Sequence, residues 1–173
     1  MQKLSPAVER YILHWGELGT RWGINRTVAQ IHALLYVSPN PLPADQIATL
    51  LSVARSNVST SLRELQGWGI VRVVHVLGDR RDHFESLKDV WEMFHIILEE
   101  RKRREVDPTL QILRECATEL EKESGESTYA RERIQSMLSF FEETTSLYDD
   151  LKRLPKFGLR QLVRVKNQVK RIF

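Results

Sequence analysis

One cysteine, Cys116, stands among 173 residues, so an internal disulfide is excluded and a reducing compartment suits the chain. Nowhere do 18 apolar residues run together, and no charged-then-apolar segment opens the chain. We therefore expect neither a membrane span nor export, and place the protein in the cytoplasm. No nucleophile elbow, phosphate-cradling glycine loop or HExxH motif accompanies Ser59, His75 and Asp79, so an enzyme is not expected. His14, His32 and His95 are scattered, and although His75 and His83 lie close in sequence, no tight Cys/His pair joins them. Neither a metal set nor a cofactor site emerges. Cys116, alone on a helix beside Arg114 and Glu115, reads as a small buried residue rather than a redox sensor.

What is present is enough for a core: 42% of the residues are hydrophobic, which argues against disorder. The length suits one ordinary domain, or a small one with a helical appendage. The net charge of +3 says little, but its distribution says more. Residues 1–83 hold nine Lys/Arg against six acids, residues 106–150 hold four against eleven, and residues 151–173 hold eight and no acid. Only the first and last of these blocks suit a polyanion.

The chain is organised around residues 44–86. Ala44–Leu51 reads as a short helix with Ile47, Leu50 and Leu51 inward, Ser52-Val53 as a turn, and Ala54–Gln66 as a second helix whose Ala54 is a poor cap. In that second helix Val58, Leu62 and Leu65 recur at helical spacing and face a core. Its other faces carry Arg55, Ser56, Asn57, Ser59, Thr60 and Arg63, with no acid before Glu64. A solubilising face usually alternates charge signs. Arginine with short hydrogen-bonding groups suits a DNA major groove, where Arg reads guanine and Asn reads adenine. Arg55, Asn57 and Ser59 are the candidates for base edges; Ser56, Thr60 and Arg63 are assigned to phosphates. After Gly67-Trp68-Gly69 the period changes: Ile70–Val76 is β-branched and ends at the turn Leu77-Gly78-Asp79-Arg80, with Arg81–Phe84 returning as a second strand. Two strands alone are marginal in water, so this hairpin must lean on the helices as a wing. Arg80 and Arg81 at its tip suit a narrow minor groove, Asp79 is placed to orient Arg81, and His83 is assigned to the wing near phosphate, the alternative being a packed histidine.

Around this centre lie helices. Ser5-Pro6 starts one whose Val8, Tyr11, Ile12, Trp15 and Leu18 form an apolar face, with Gly16 and Gly19 permitting a bend or a close crossing. Asn25–Val37 is the next, ended by Pro39, Pro41 and Pro43. Ser86 and Asp89 make an approximate capping box for a helix to about Glu105 with the stripe Val90, Trp91, Phe94, Ile97 and Leu98. Asp107-Pro108 starts another, broken at Gly125; a helix over Thr128–Lys152 carries Ile134, Leu138, Phe141, Thr145 and Tyr148 in coiled-coil-like steps, and Gly158–Phe173 forms a basic helix. The basic run Arg101–Arg104 is read as a helix end complementing the dipole, the alternative being a patch that flanks DNA.

The stretches Ala29–Tyr36, Pro41-Leu42, Ala54–Ser59, Ser61–Gln66 and Val74–Phe84, continuing through Asp89–Phe94 to Arg101–Arg104 and Asp107-Pro108, resemble the GbsR-like branch of the MarR family, prokaryotic winged helix-turn-helix transcriptional regulators. The branch takes its name from a repressor of glycine betaine synthesis. The resemblance implies a homodimer that places one recognition helix of each subunit in the major groove, with that helix on Ala54–Gln66 and the wing's aspartate and arginine on Asp79 and Arg81. It also implies choline or a betaine-like effector, for which Tyr11, Trp15, Trp22, Trp91 and Phe94 would supply an aromatic cage if their rings converged, the alternative being ordinary core. Ala54 departs from the small hydroxyl residue frequent in the family.

The expectation is a mainly α protein with a small β wing: an N-terminal helix over 1–24 in the dimerisation or effector region, a winged helix-turn-helix over 25–86, and a helical linker and dimerisation region over 87–173. Its expected partners are double-stranded DNA, a second copy of itself and a small-molecule effector, with no membrane. The function expected is sequence-specific regulation of transcription, by repression. The rivals are a protein-binding winged helix used as a scaffold and a non-specific architectural DNA binder.

Overall fold

The computed structural model describes residues 4–122 and 128–153; the break expected at Gly125 and the basic helix expected over 158–173 lie outside them. The chain divides into two compact units between Ile97 and Leu98.

The first unit begins with α1 (Pro6–Arg21), where the Ser5 hydroxyl accepts a hydrogen bond from the Val8 amide at 3.4 Å and Pro6 opens the helix. Gly16 and Gly19 are buried on it. A Cβ on Gly19 would stand 2.5 Å from the Ala29 Cβ, and one on Gly16 would stand 2.7 Å from the Gln30 side chain. Of the two roles open to these glycines, the close crossing is the one the structure uses. The helix they cross, α2 (Arg26–Val37), starts at Asn25, whose side-chain oxygen accepts from the Thr27 amide. It buries Val28, Ala29, Ile31, His32, Ala33, Leu34 and Leu35, as a helix apolar on most sides must. The core is built round it from Ile12, Ile47, Val58, Leu62, Leu65, Ile70 and Phe84.

The proline-rich stretch after α2 does more than end a helix. Leu42–Pro43 form β1, paired antiparallel with Phe84 and His83. An edge position tolerates a residue with no N–H. Next come α3 (Ala44–Leu51), which closes on Ser52 at φ 54°, and α4 (Arg55–Gly67). Gly69 at φ +77° turns the chain into β2 (Val71–Val74), and β3 (His83–Ser86) returns between β2 and β1 in a three-stranded antiparallel sheet. The first strand is shorter than expected and the return begins two residues later, leaving 75–82 as a loop. Gly78 takes φ +85° in a tight turn closed by the Asp79 amide on the Val76 carbonyl at 3.0 Å, and the Asp79 carboxylate accepts the Arg81 amide at 3.0 Å, so a side chain extends the tip beyond the turn.

The expected capping box does not form. Ser86 ends β3 and its hydroxyl bonds to the neighbouring Leu87 carbonyl. Asp89 is itself the cap, accepting from the amides of Trp91 at 2.9 Å and Glu92 at 3.2 Å, so α5 (Val90–Arg101) starts at Val90. Its buried residue is Met93, one step round from the expected stripe, while Val90 and Phe94 are exposed. Between strand and helix, Lys88 reaches back to the end of α2. Its ammonium donates to the carbonyls of Leu35, Tyr36 and Ser38 at 2.8, 2.8 and 2.9 Å, a cation on the negative end of a helix dipole.

The second unit takes the last turn of α5, a π-helical stretch (Lys102–Val106), α6 (Asp107–Lys122) and α7 (Thr128–Arg153). Helix continues through Asp107-Pro108, where a fresh start was expected. The π stretch shifts the hydrogen-bond register just before Pro108, which has no N–H to contribute. Leu138 on α7 is buried, and Ile134, Phe141, Thr145 and Tyr148 are half-buried, so this stripe is spent within the unit; Met137, Phe140 and Leu147 beside it are exposed. Arg114 on α6 pairs with Glu142 on α7 at 2.8 Å. Tyr148 donates to Glu99 at 2.6 Å and Lys152 pairs with the same carboxylate at 2.8 Å. Burial, reinforced by that carboxylate, holds the Tyr148 phenol well above its ordinary range.

Candidate nucleic-acid interface

Helix α4 has the two sides its sequence requires. Val58, Ser61, Leu62 and Leu65 are buried; Arg55, Ser56, Asn57, Ser59, Thr60 and Arg63 are all exposed. No side chain caps the helix at Ala54, so the first-turn amides remain for an acceptor from outside, the arrangement that favours a phosphate at a helix N-terminus. The Ser59 hydroxyl donates to the Arg55 carbonyl at 3.1 Å, which leaves its lone pairs facing out.

Facing α4 across a cleft of about 390 Å³ is the wing. The cleft is lined by Arg55, Ser59, Arg63 and Gln66 from α4, Asp45 from α3, and Arg81 and Asp82 from the loop. Arg81 is held firmly in it. Its Nε lies 3.0 and 3.1 Å from the two oxygens of Asp79, and one terminal nitrogen donates to Asp79 at 2.6 Å. The other terminal nitrogen donates to Asp45 at 2.7 Å. Hydrogen bonds from Arg81 hold the Asp79 carboxyl far below the usual carboxylate range, and Asp79, then Asp45, raise the guanidinium in turn. At Asp45 burial works against ionisation, but backbone amides at the start of α3 and Arg81 outweigh it, so this carboxyl too is lowered.

The expected wing residues therefore part company. Arg80 is exposed and makes no ion pair among the described residues. Arg81 is exposed but doubly paired. His83, assigned to phosphates from the sequence, is buried; its Nδ1 lies 2.9 Å from the Arg81 carbonyl and its Nε2 3.4 Å from Asp79. It braces the loop from below. His75 lies instead beside Asp82 at 4.0 Å, and among the described residues no group of three metal-ligating side chains forms. Asp45 went unnoticed in the sequence because its partner is 36 positions away.

Of the aromatic set, three converge. Trp15, Trp22 and Phe94 line an apolar cavity of about 190 Å³ together with Trp68, His32 and Met93. Tyr11 stands behind Trp15, ring centroids 5.7 Å apart, and neither it nor Trp91 lines the cavity. Trp68 is the residue missed, read only as part of a helix end. His32 Nε2 lies 3.3 Å from the Met93 sulfur, a contact in which only the imidazole has a proton to donate. Burial, then the charge of Lys88, lowers the His32 pKa from 6.5 to about 4. The cavity wall has no carboxylate, lysine or arginine.

Residues 16–82 match the model of the MarR family. The chain is 25% identical over 137 residues to the HTH-type transcriptional repressor GbsR of Bacillus subtilis (strain 168), covering 77% of this chain and 75% of that protein. It is 21% identical over 139 residues to the HTH-type transcriptional repressor OpcR of the same organism, covering 79% and 75%. A crystal structure described as that of a transcriptional regulator superposes with a TM-score of 0.64 at 20% identity, covering 84% of this chain and 95% of that one, a likeness of fold. Among the described residues no helix is long and apolar enough to cross a membrane.

Proposed function

We propose that this chain is a DNA-binding transcriptional regulator of the MarR family and acts as a homodimeric, sequence-specific repressor. The observation that carries the reading is the outer face of α4, where Arg55, Asn57, Ser59 and Arg63 project above the buried Val58, Leu62 and Leu65. Arg55, Asn57 and Ser59 read base edges; Ser56, Thr60, Arg63 and the uncapped helix start engage phosphates. Arg80 and Arg81 serve the adjoining groove. The domain is a regulator's reading head, not an enzyme's active site. Fragments of genomic DNA selected by the protein, compared with random duplexes across salt concentrations, test the proposal. A gap of about 4–10 kcal/mol between selected and random sites, with half-sites one helical turn or a multiple apart, is expected. Equal affinity for both would leave an architectural binder, and no affinity for either a protein scaffold.

The same reading gives the cavity an effector. Three indoles and a phenyl ring around a space whose wall carries no charged side chain suit a quaternary ammonium group through cation–π attraction. No lysine or arginine lines the wall to receive a carboxylate, so choline fits better than glycine betaine. Binding that favours either the DNA-competent or the incompetent state then shifts operator affinity. Calorimetry should show choline binding that Trp68→Ala weakens. No heat with choline, and no change in DNA affinity, would remove the effector from the account.

A further inference from the structure

Arg81 is gripped from two elements at once, and the two grips differ in kind. Asp79 belongs to the same loop and travels with the wing. Asp45 sits on the first turn of α3, outside the wing, and takes the remaining edge of the guanidinium. The Arg81 and Asp45 side chains are 54% and 46% exposed, and an ion pair as open as that is a weak, exchangeable contact. It lies in the wall of the cleft that faces Arg55, Ser59 and Arg63. An acid there repels a duplex. Holding the loop in shape does not require it, since Asp79 and His83 do so from within the hairpin.

We propose that Asp45 is a specificity-determining residue: it competes with the duplex for Arg81. Only a groove of strongly negative potential, such as the narrowed minor groove of an A·T tract, draws the guanidinium off α3. A wider, less negative groove leaves it on Asp45, where the closed pair adds nothing to binding. The cost of opening the pair therefore falls on the DNA that Arg81 favours, and Asp45 narrows the preference that Arg81 confers. The inference rests on the DNA-reading role proposed above.

The test uses a selected operator in two versions, with A·T or G·C pairs at the flanks under the wing, and the full-length chain as wild type, Asp45→Asn, Arg81→Ala and the double variant. Wild type should prefer the A·T flank. Asp45→Asn should tighten binding about two- to fivefold on the A·T flank and less on the G·C flank, so the preference widens; in the Arg81→Ala background it should act on both flanks alike. Asp45→Ser repeats the measurement should the asparagine variant fold poorly. An equal gain on both flanks with Arg81 present would make Asp45 a bystander charge, and an equal loss would make it a structural strut; either overturns the proposal while the regulator reading stands. A wild type that separates selected from random duplexes yet ignores the flanks overturns it too. A wild type that separates neither takes both readings down together.

Discussion

His32 is a base kept neutral by its surroundings. Its pKa is about 4 in the folded chain against 6.5 when unfolded. The unfolded chain therefore binds more protons between these values, and stability that is complete above pH 6.5 drains away as pH falls toward 4. The loss across the window is about 3 kcal/mol. Urea titrations at pH 7 and 4.5 should show it, and His32→Leu, with no charge to take up, should flatten it. The wing arginines separate just as sharply. Arg80→Ala should lower the salt slope of operator binding by about one. Arg81→Ala should cost more affinity, since it removes a cation and bares Asp79 and Asp45 to the phosphates; fluorescence anisotropy over a salt series distinguishes the two. At this scale the sequence was readable where partners are neighbours. Asp79 beside Arg81 was visible at two residues' distance, whereas Asp45, and the three carbonyls that Lys88 caps from 50 to 53 positions away, required the fold.

At the scale of elements, α4 was legible because burial imposes a helical period and Val58, Leu62 and Leu65 keep it. The sheet was less so. Leu42–Pro43 lies among prolines that look only like breakers, and an edge strand of two residues has no alternation to detect. The return strand starts two residues late because Gly78-Asp79 announces a turn without stating that the Asp79 carboxylate will also hold the residues after it. Asp107-Pro108 looked like a helix start, and the π stretch that lets helix run through it has no signature in composition. The crossing of α1 on α2 gives a sharp prediction. Gly19→Ala places a methyl group 2.5 Å from that of Ala29, so the helices must part, costing about 1–3 kcal/mol in a urea titration. Gly23, which has φ +73° and open space around it, is strained by alanine for conformational reasons alone.

The whole molecule keeps its charges apart. Basic residues dominate the reading end and the terminal segment, and acids dominate 106–150, so salt should weaken operator binding far more than folding. The aromatic cavity was half legible: the sequence supplied the rings, but which of them meet depends on α1, α5 and the end of α4 coming together. That is why Trp68 joined the set and Tyr11 and Trp91 left it.

Trp15, Trp22, Trp68 and Trp91 all precede the division at Ile97, which hands the experimenter two separate optical channels. Indole emission follows only the unit that carries the reading helix, while far-ultraviolet ellipticity also counts α6 and α7. A choline titration should change the emission spectrum and raise the melting point seen through it.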